Sequence, residues 1–500
     1  MRDKIKSLGT DTAIYGVSTI LGRFLTFILT PLYTHVLLPD ALGVVALGYT
    51  YIAFLNVVYG YGMESAYFRY AASTEMGTAK QNFSVPFISL GTSSLVFSLL
   101  LVWQAKSVAL LVDIPETYLS VVYYAAGILF LDTLVIVPYA RLRLARKTIR
   151  FATIRIINIL VNVGCNILLL FTFRMGVDGI FLSGLISSAV TLLFMLPVII
   201  EHWSWSFPKN LYKELLRFGL PYVPAGVATM MIQVVDRPIL EAMTNVSTVG
   251  IYQVNYRLGI FMMLIVSTFD FAWRPFFLSH ATDPDAKRLF ARILTYFVLL
   301  MVSVFLVLSF FLEDIVRIPL FAGHSIIDAK YWSGLSIVPV VLLAYVFLGI
   351  SNNLVAGIYI EKKTKHLPVI TFIGVVVNIG VNVLLIPILG IMGAAVATLA
   401  SYSIMALVLY LVVQRFYPVS YELGRLGKIA VCAGLVYGLQ YLIIPAGWEV
   451  PGKILLLIVF LLLMYAMNFF NASELGTITG RLRRKQKEDI SPLPPSANDL

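Results

Sequence analysis

The sequence predicts an all-α polytopic membrane protein with about fourteen transmembrane helices: two six-helix lobes related by a parallel repeat, then two extra C-terminal helices. Three observations carry that expectation. Of 500 residues, 59% are apolar and only 13% charged, a balance foreign to soluble domains. Apolar runs of about 20 residues, enough to cross roughly 30 Å of hydrocarbon, recur along the whole chain. Two distant stretches repeat one another at a fixed offset.

The first six spans are expected at 12–35, 41–62, 83–106, 118–139, 153–173 and 179–200. The next six fall at 215–242, 247–270, 289–312, 332–359, 367–388 and 393–413, and a last pair at 426–444 and 453–470. Arg2, Lys4 and Lys6 precede the first run as in a signal peptide, but the run is long and lacks a small-residue cleavage site. It reads as an uncleaved first span. Pro86, Pro197 and Pro221 lie near span ends, where a missing amide hydrogen costs least, whereas Pro238 and Pro339 lie deeper and predict kinks. Cys165 and Cys432 both sit within apolar spans, which argues against a disulfide or a metal site.

Charge sets the orientation. With a cytoplasmic N-terminus, 29 of the 37 Lys and Arg residues fall on the cytoplasmic side and five outside (Lys106, Arg174, Arg317, Lys330 and Lys453). The remaining three, Arg23, Arg237 and Arg257, fall deeper within spans than the few basic residues at span ends. That bias fits the positive-inside rule, and an even number of spans places both termini in the cytoplasm. The net charge of +11 is then mostly topogenic. The basic stretches 141–150 and 481–487 read as orientation signals touching anionic membrane lipid, not as nucleic-acid sites. The Pro- and Ser-rich tail after Ile490 is expected to be disordered.

The repeat is clearest in the fifth span. RKTIRFATIRIINILVNVGCNILLL (146–170) aligns without gaps to KKTKHLPVITFIGVVVNIGVNVLLI (362–386) at an offset of 216, with ten of 25 positions identical. Shared apolar composition accounts for part of this, but not for the matched Lys-Thr and Asn-x-Gly-x-Asn. Pro31 and Gly43 likewise recur 207 residues later as Pro238 and Gly250. Six spans separate equivalent points, so the copies share an orientation, and the natural ligand site lies at their interface. The expected organisation is an N-terminal lobe at 1–205 and a C-terminal lobe at 206–415. An extra helix pair follows at 416–472 and a cytoplasmic tail at 473–500.

Arg23 stands about 11 residues into span one and Arg257 about 10 into span eight, a depth of roughly 17 Å at the helical rise. An arginine there costs several kcal/mol and faces a bundle interior or a wet cavity. Guanidinium binds phosphate through two parallel hydrogen bonds and keeps its charge, so the pair reads as an anion site. The alternative is internal ion pairing, with Asp132 reaching Arg23 and Asp236 reaching Arg257; Asp270 is a further acid within a span. Asp236 and Arg237 are helix neighbours that do not face each other, so each is expected to find another partner; near the outer end of span seven, the two suit a structural role or an outer gate.

Asn158, Asn162 and Asn166 share one face of span five, as Asn378 and Asn382 do in span eleven. They suit cavity lining or, more commonly, interhelical hydrogen bonds. Glu64 and Arg69, with Asp270 and Arg274 as rough repeat equivalents, suit a closing ion-pair layer at the cytoplasmic ends of spans two and eight. Trp203, Trp205 and Trp448 fit an interfacial belt. There is no GxxxxGK[ST] loop, no HExxH, and no large extracytoplasmic loop, the longest running over about 313–331. The expectation is a non-enzyme without a cofactor.

TPLYTHVLLPDALGVVALGY (30–49), GLPYVPAGV (219–227) and DRPILEAMTNVSTVGIYQVNYRLG (236–259) resemble the polysaccharide-transport branch of the multidrug/oligosaccharidyl-lipid/polysaccharide exporter superfamily. The resemblance covers all fourteen spans. It implies two six-helix lobes around a V-shaped cavity and rocker-switch alternating access. It also implies a flippase that moves undecaprenyl-pyrophosphate-linked oligosaccharide across a bacterial inner membrane for O-antigen, capsule or exopolysaccharide assembly. The implied partners are that lipid-linked glycan, membrane lipid, and glycan polymerase or other assembly proteins. Related lipid II flippases hold essential arginines in spans one and eight, the spans of Arg23 and Arg257, and use the last two helices as a lipid-tail groove. The rival class is a cation-coupled multidrug antiporter of the same superfamily, which typically carries a carboxylate in the N-lobe cavity; Asp132 keeps it in view. A non-transporting scaffold for glycan assembly is a third.

Overall fold

The computed structural model describes residues 16–470 except 17–19, 21, 26, 74–75, 322 and 444–448. Trp448 and the tail from 471, with its basic stretch, lie outside the described residues. The protein is an all-α polytopic membrane protein. Among the described residues, twelve helices are long and apolar enough to span a bilayer. Of the other two expected spans, the first is described in part, as helical residues 22–25 and 27–36 (α1), and span thirteen is the 21-residue helix Leu423–Ile443. Many exposed side chains are large and apolar, among them Leu111 at 82% and Ile388 at 75%. Hydrocarbon, not water, is the solvent such a surface fits.

Residues up to 290 together with 312–419 form one compact unit. Within it α2 (Pro39–Gly60) and α3 (Met63–Ser73) follow α1, then α4 (Ala79–Trp103) and α5 (Ala105–Leu111). Span four is α6 (Ser120–Leu134) and α7 (Ile136–Leu144), span five α8 (Thr148–Ile167), and span six α9 (Gly176–His202). The second copy runs from α10 (Lys209–Gly219) through α11 (Tyr222–Val234), α12 (Asp236–Met243), α13 (Val246–Arg257) and α14 (Ile260–Ser279). α15 (Ala286–Arg317), α16 (Val338–Leu354), α17 (Ala356–Ile360), α18 (His366–Leu389) and α19 (Ile391–Gln414) follow. The second unit comprises residues 291–311 of α15 and everything from 420, including α20 (Leu423–Ile443) and α21 (Glu449–Ala466). There Tyr437 meets Phe305 and Phe310, and the Lys453 ammonium lies 6.0 Å from the Phe311 ring centre.

Helix breaks fall where the sequence weakens the ladder. Pro238 lacks the amide that would bond Val234, and α11 gives way to α12 at Val235. Pro339 departs from expectation: it occupies the first turn of α16, after a 3₁₀ segment Ala329–Ile337, and so starts a helix instead of kinking one. Span eight is two helices, α13 and α14, parted at Leu258–Gly259. The long loop expected at 313–331 is mostly folded, with α15 extending to Arg317 and a short hairpin of β1 (Pro319–Phe321) and β2 (His324–Ser325). It clasps the first copy, since the Tyr331 hydroxyl donates to the Leu37 carbonyl at 2.9 Å.

The repeat is written into the backbone. Arg146 and Lys362, 216 residues apart, both take left-handed φ values, 51° and 55°. Arg174 and Gly390, again 216 apart, do the same at 52° and 55°. In each copy a residue of positive φ thus marks the turn into and the turn out of the fifth span. The other pair of equivalents meets in space. A Cβ on Gly43 would lie 2.0 Å from the Val246 carbonyl oxygen, and one on Gly250 would lie 2.0 Å from that of Pro39. Each glycine is the fifth residue of its helix, and each carbonyl belongs to the first. α2 and α13 therefore cross as near-equivalents, backbone on backbone, at the ends the charge bias assigns to the outside.

Gly43→Ala and Gly250→Ala should each lower the thermal midpoint in detergent, by roughly 1–3 kcal/mol of overpacking. The double substitution should cost less than the sum, because both relieve one crossing. Gly164→Ala, inside α8 with nothing within 4 Å of its added carbon, should instead raise the melt, by roughly 0.5–1 kcal/mol of helix propensity.

Candidate functional site

Two arginines reach across between the copies. Arg23 on α1 donates from Nη1 to Ser267 Oγ on α14 at 2.8 Å. Arg257, at the end of α13, donates from Nη1 to Thr30 Oγ1 on α1 at 3.5 Å. It also lies within electrostatic reach of Tyr33 and Tyr49. α1 and α14 pack along one another, with Phe27 and Phe261 edge to face at 5.3 Å. The break at Leu258–Gly259 ends α13 at Arg257, so the helix presents its negative dipole end to the guanidinium. Both side chains are partly exposed, and among the described residues neither forms an ion pair. The alternative contacts, Asp132 with Arg23 and Asp236 with Arg257, are not made.

Asp236 instead pairs with its neighbour, against the expectation that adjacent helix residues look elsewhere. Arg237 Nη1 lies 2.6 Å from Asp236 Oδ1. The helix restarts at Asp236, and the long guanidinium folds back over that first turn to bond the Gln233 carbonyl at 2.7 Å as well. Its Nε donates to Gln253 Oε1 at 2.9 Å, and its plane lies 4.7 Å from the Tyr256 ring centre. The Tyr252 hydroxyl completes Asp236 at 2.5 Å. Both members are buried, at 2% and 5% exposure. The pair is satisfied from all sides and holds α12 against α13.

The first copy contains a polar chamber of about 440 Å³, lined by Tyr49, Asp132, Arg155, Asn158, Asn162 and Ser188, among others. Asp132 Oδ1 accepts from the Ser188 hydroxyl at 2.7 Å. Asn158 donates to Thr191 Oγ1 at 2.8 Å, so this span-five face both lines the chamber and bridges to α9. Asn166 is buried and bonds the Tyr33 hydroxyl at 2.8 Å. In the second copy Asn382 donates to the Asn378 carbonyl at 2.8 Å, and both are buried. The expected cytoplasmic ion-pair layer stays within each copy: Glu64 pairs with Arg143, and Asp270 with Arg274 at 3.0 Å. Sequence reading missed Tyr33, Tyr49, Arg155 and Ser267. Tyr33 and Tyr49 lie inside the 30–49 motif, which was the available signal.

The family model described as polysaccharide biosynthesis protein matches residues 33–322, a range that holds the crossing, Arg257 and the chamber. The chain belongs to this family. Its fold is one shared with solved transporters and flippases. No curated protein matches it. Lipid II flippase MurJ, in an inward closed conformation, is similar in fold, with a TM-score of 0.72 at 15% identity over 91% of this chain and 98% of that one. A multidrug resistance MATE family transporter of the MOP superfamily, inward-facing, gives 0.63 at 15% identity, covering 79% and 94%. The Vibrio cholerae MATE transporter VcmN in the bent form gives 0.57 at 16%, covering 82% and 97%.

The two kinds of charge within this chain's spans separate experimentally. Asp236→Asn, which leaves Arg237 buried and uncompensated, should cost about 3–5 kcal/mol and lower the detergent melt sharply. Arg23→Ala, which loses one hydrogen bond to a hydroxyl, should cost about 1 kcal/mol.

Proposed function

We propose that the protein flips undecaprenyl-pyrophosphate-linked oligosaccharide from the inner to the outer leaflet of a bacterial inner membrane, without chemical conversion, for O-antigen, capsule or exopolysaccharide assembly. The observation that carries this reading is the pair Arg23 and Arg257, each crossing between copies and, among the described residues, bonded only to a hydroxyl. A pyrophosphate supplies the anionic oxygens such guanidinium groups lack. The substrate also carries a polar glycan, which the chamber's amides and hydroxyls suit. In this reading 1–205 and 206–415 are the rocking lobes, and 416–472 attends the isoprenoid tail. The tail 473–500 and both termini are cytoplasmic, and polymerase or assembly proteins receive the product.

The test is the leaflet distribution of radiolabelled lipid-linked glycan in cells lacking the protein, with membrane levels checked. Glycan should accumulate on the cytoplasmic side and be cleared by wild type. Arg23→Ala and Arg257→Ala should each clear it roughly 10- to 100-fold more slowly, the worth of a charge-assisted hydrogen bond. Arg→Lys should rescue only in part, since lysine cannot bind bidentately. Full clearance by both alanine variants would overturn the arginine assignment; an unchanged distribution in the deletion strain would overturn the flippase.

A second reading, a cation-coupled antiporter, rests on the Asp132 carboxyl in the chamber. It requires cationic-dye efflux that Asp132→Asn abolishes, whereas the flippase reading expects none from wild type.

A further inference from the structure

A second cavity, a groove of about 850 Å³, lies between the start of α8 and the later part of α9. Its rim carries Arg146, Lys147 and Arg150, and its floor includes Ile157, Leu193 and Phe194. None of the three cations forms an ion pair among the described residues. The left-handed turn at Arg146 folds the chain so that residues preceding and opening α8 share the rim. No side chain caps α8 at Lys147, and residues 147–150 at this helix start line the groove, where a helix start favours phosphate. The floor is hydrocarbon-like: Leu193 is 62% exposed and Phe194 47%. Ile149, between the cations, is 74% exposed.

The second copy shows what this sequence does when no ligand is wanted. Lys363, the equivalent of Lys147 at an offset of 216, lies 4.5 Å from the Phe416 ring centre. Its charge is already spent on an aromatic face. In the first copy the equivalent cation is left on an open rim, and charge complementarity identifies the occupant. Three cations ask for a phosphate, and a soluble anion would have no use for the apolar floor. The basic end is the one the charge bias places at the cytoplasmic surface, where anionic lipids concentrate.

We propose that this groove holds one anionic phospholipid of the cytoplasmic leaflet. Its phosphate rests on Arg146, Lys147, Arg150 and the start of α8, and an acyl chain lies along Ile157, Leu193 and Phe194. All these residues belong to α8, α9 and the turn between α7 and α8, so the site is built within the first copy alone. It does not depend on the flippase reading.

The test is native mass spectrometry of the full-length protein released from detergent, titrated with dioleoyl phosphatidylglycerol, dioleoyl phosphatidylcholine, glycerol 1-phosphate or undecaprenyl phosphate. Phosphatidylglycerol should be retained and phosphatidylcholine should not. The combined variant Arg146→Gln, Lys147→Gln, Arg150→Gln should weaken phosphatidylglycerol binding roughly 100-fold, at about a factor of five per cation. Lys363→Gln, an equal type of charge loss at the stacked position, should leave it unchanged. Leu193→Trp, which fills the floor, should weaken the diacyl lipid without affecting glycerol 1-phosphate. If the triple variant misfolds by gel filtration, Arg146→Gln alone should give about a fivefold loss. Equal retention of phosphatidylcholine, or no loss in the cation variants, would overturn the site. Glycerol 1-phosphate binding as tightly as the lipid would make it a plain anion site and overturn the lipid. Undecaprenyl phosphate displacing phosphatidylglycerol would make the carrier the occupant and overturn the proposal as stated.

Discussion

The crossing of α2 and α13 constrains everything on either side of it. Glycine meets carbonyl twice, at Gly43 with Val246 and at Gly250 with Pro39, so no side chain separates the two backbones there. Close backbone approach through small residues is how helices associate where the solvent is already apolar. The same two helices then continue inward to the residues that matter: α2 carries Tyr49 into the chamber wall, and α13 ends at Arg257. The reach of Arg257 to Thr30 on α1 depends on that spacing. A contact of dispersion and weak polar approach also leaves no buried charge behind when it parts, unlike an ion pair.

Charge inside the membrane is divided between two uses. Arg237 makes three hydrogen bonds, to Gln233, Asp236 and Gln253, and lies over Tyr256. It has spent most of its five donors. Among the described residues Arg23 and Arg257 each make a single bond to a neutral hydroxyl, and the one at 3.5 Å is weak. An arginine is too costly in a bilayer to be kept for one such bond. The first arrangement is complete without a ligand; in the proposed function the second acquires its stabilisation from the pyrophosphate.

The spans, the repeat and the three intramembrane arginines were legible because lipid imposes length and apolarity directly on the sequence. Pairing was not. Asp236 and Arg237 were expected to look apart because an unbroken helix points neighbours apart, but the helix restarts at Asp236 and frees the side chain to fold back. Arg257 was read as mid-span, yet it closes a helix, a fact set by Leu258–Gly259 and the packing of Gly259 against Val341 and Tyr345. The Asn-x-Gly-x-Asn pattern announced the repeat, but not whether its amides would meet water or protein. Which hydroxyl a guanidinium reaches depends on helix rotations of a few tens of degrees, and hydropathy does not encode them.

The repeat is most informative where it fails. Asn166 and Asn382 make the same amide bond to the residue four back, at 2.8 Å in both copies. In the first copy Tyr33 also donates to the Asn166 carbonyl oxygen. Its equivalent 207 residues on is Leu240, and the Asn382 oxygen is left buried without a partner among the described residues. Near the same place the first copy opens into a polar chamber, while the second closes around Asp236 and Arg237. An inherited asparagine, costly where nothing answers it, has been given a tyrosine only in the copy that faces a cavity. The proposed substrate, with one charged joint and one polar head, has no twofold symmetry, and copies that kept theirs would offer it the wrong surface on one side.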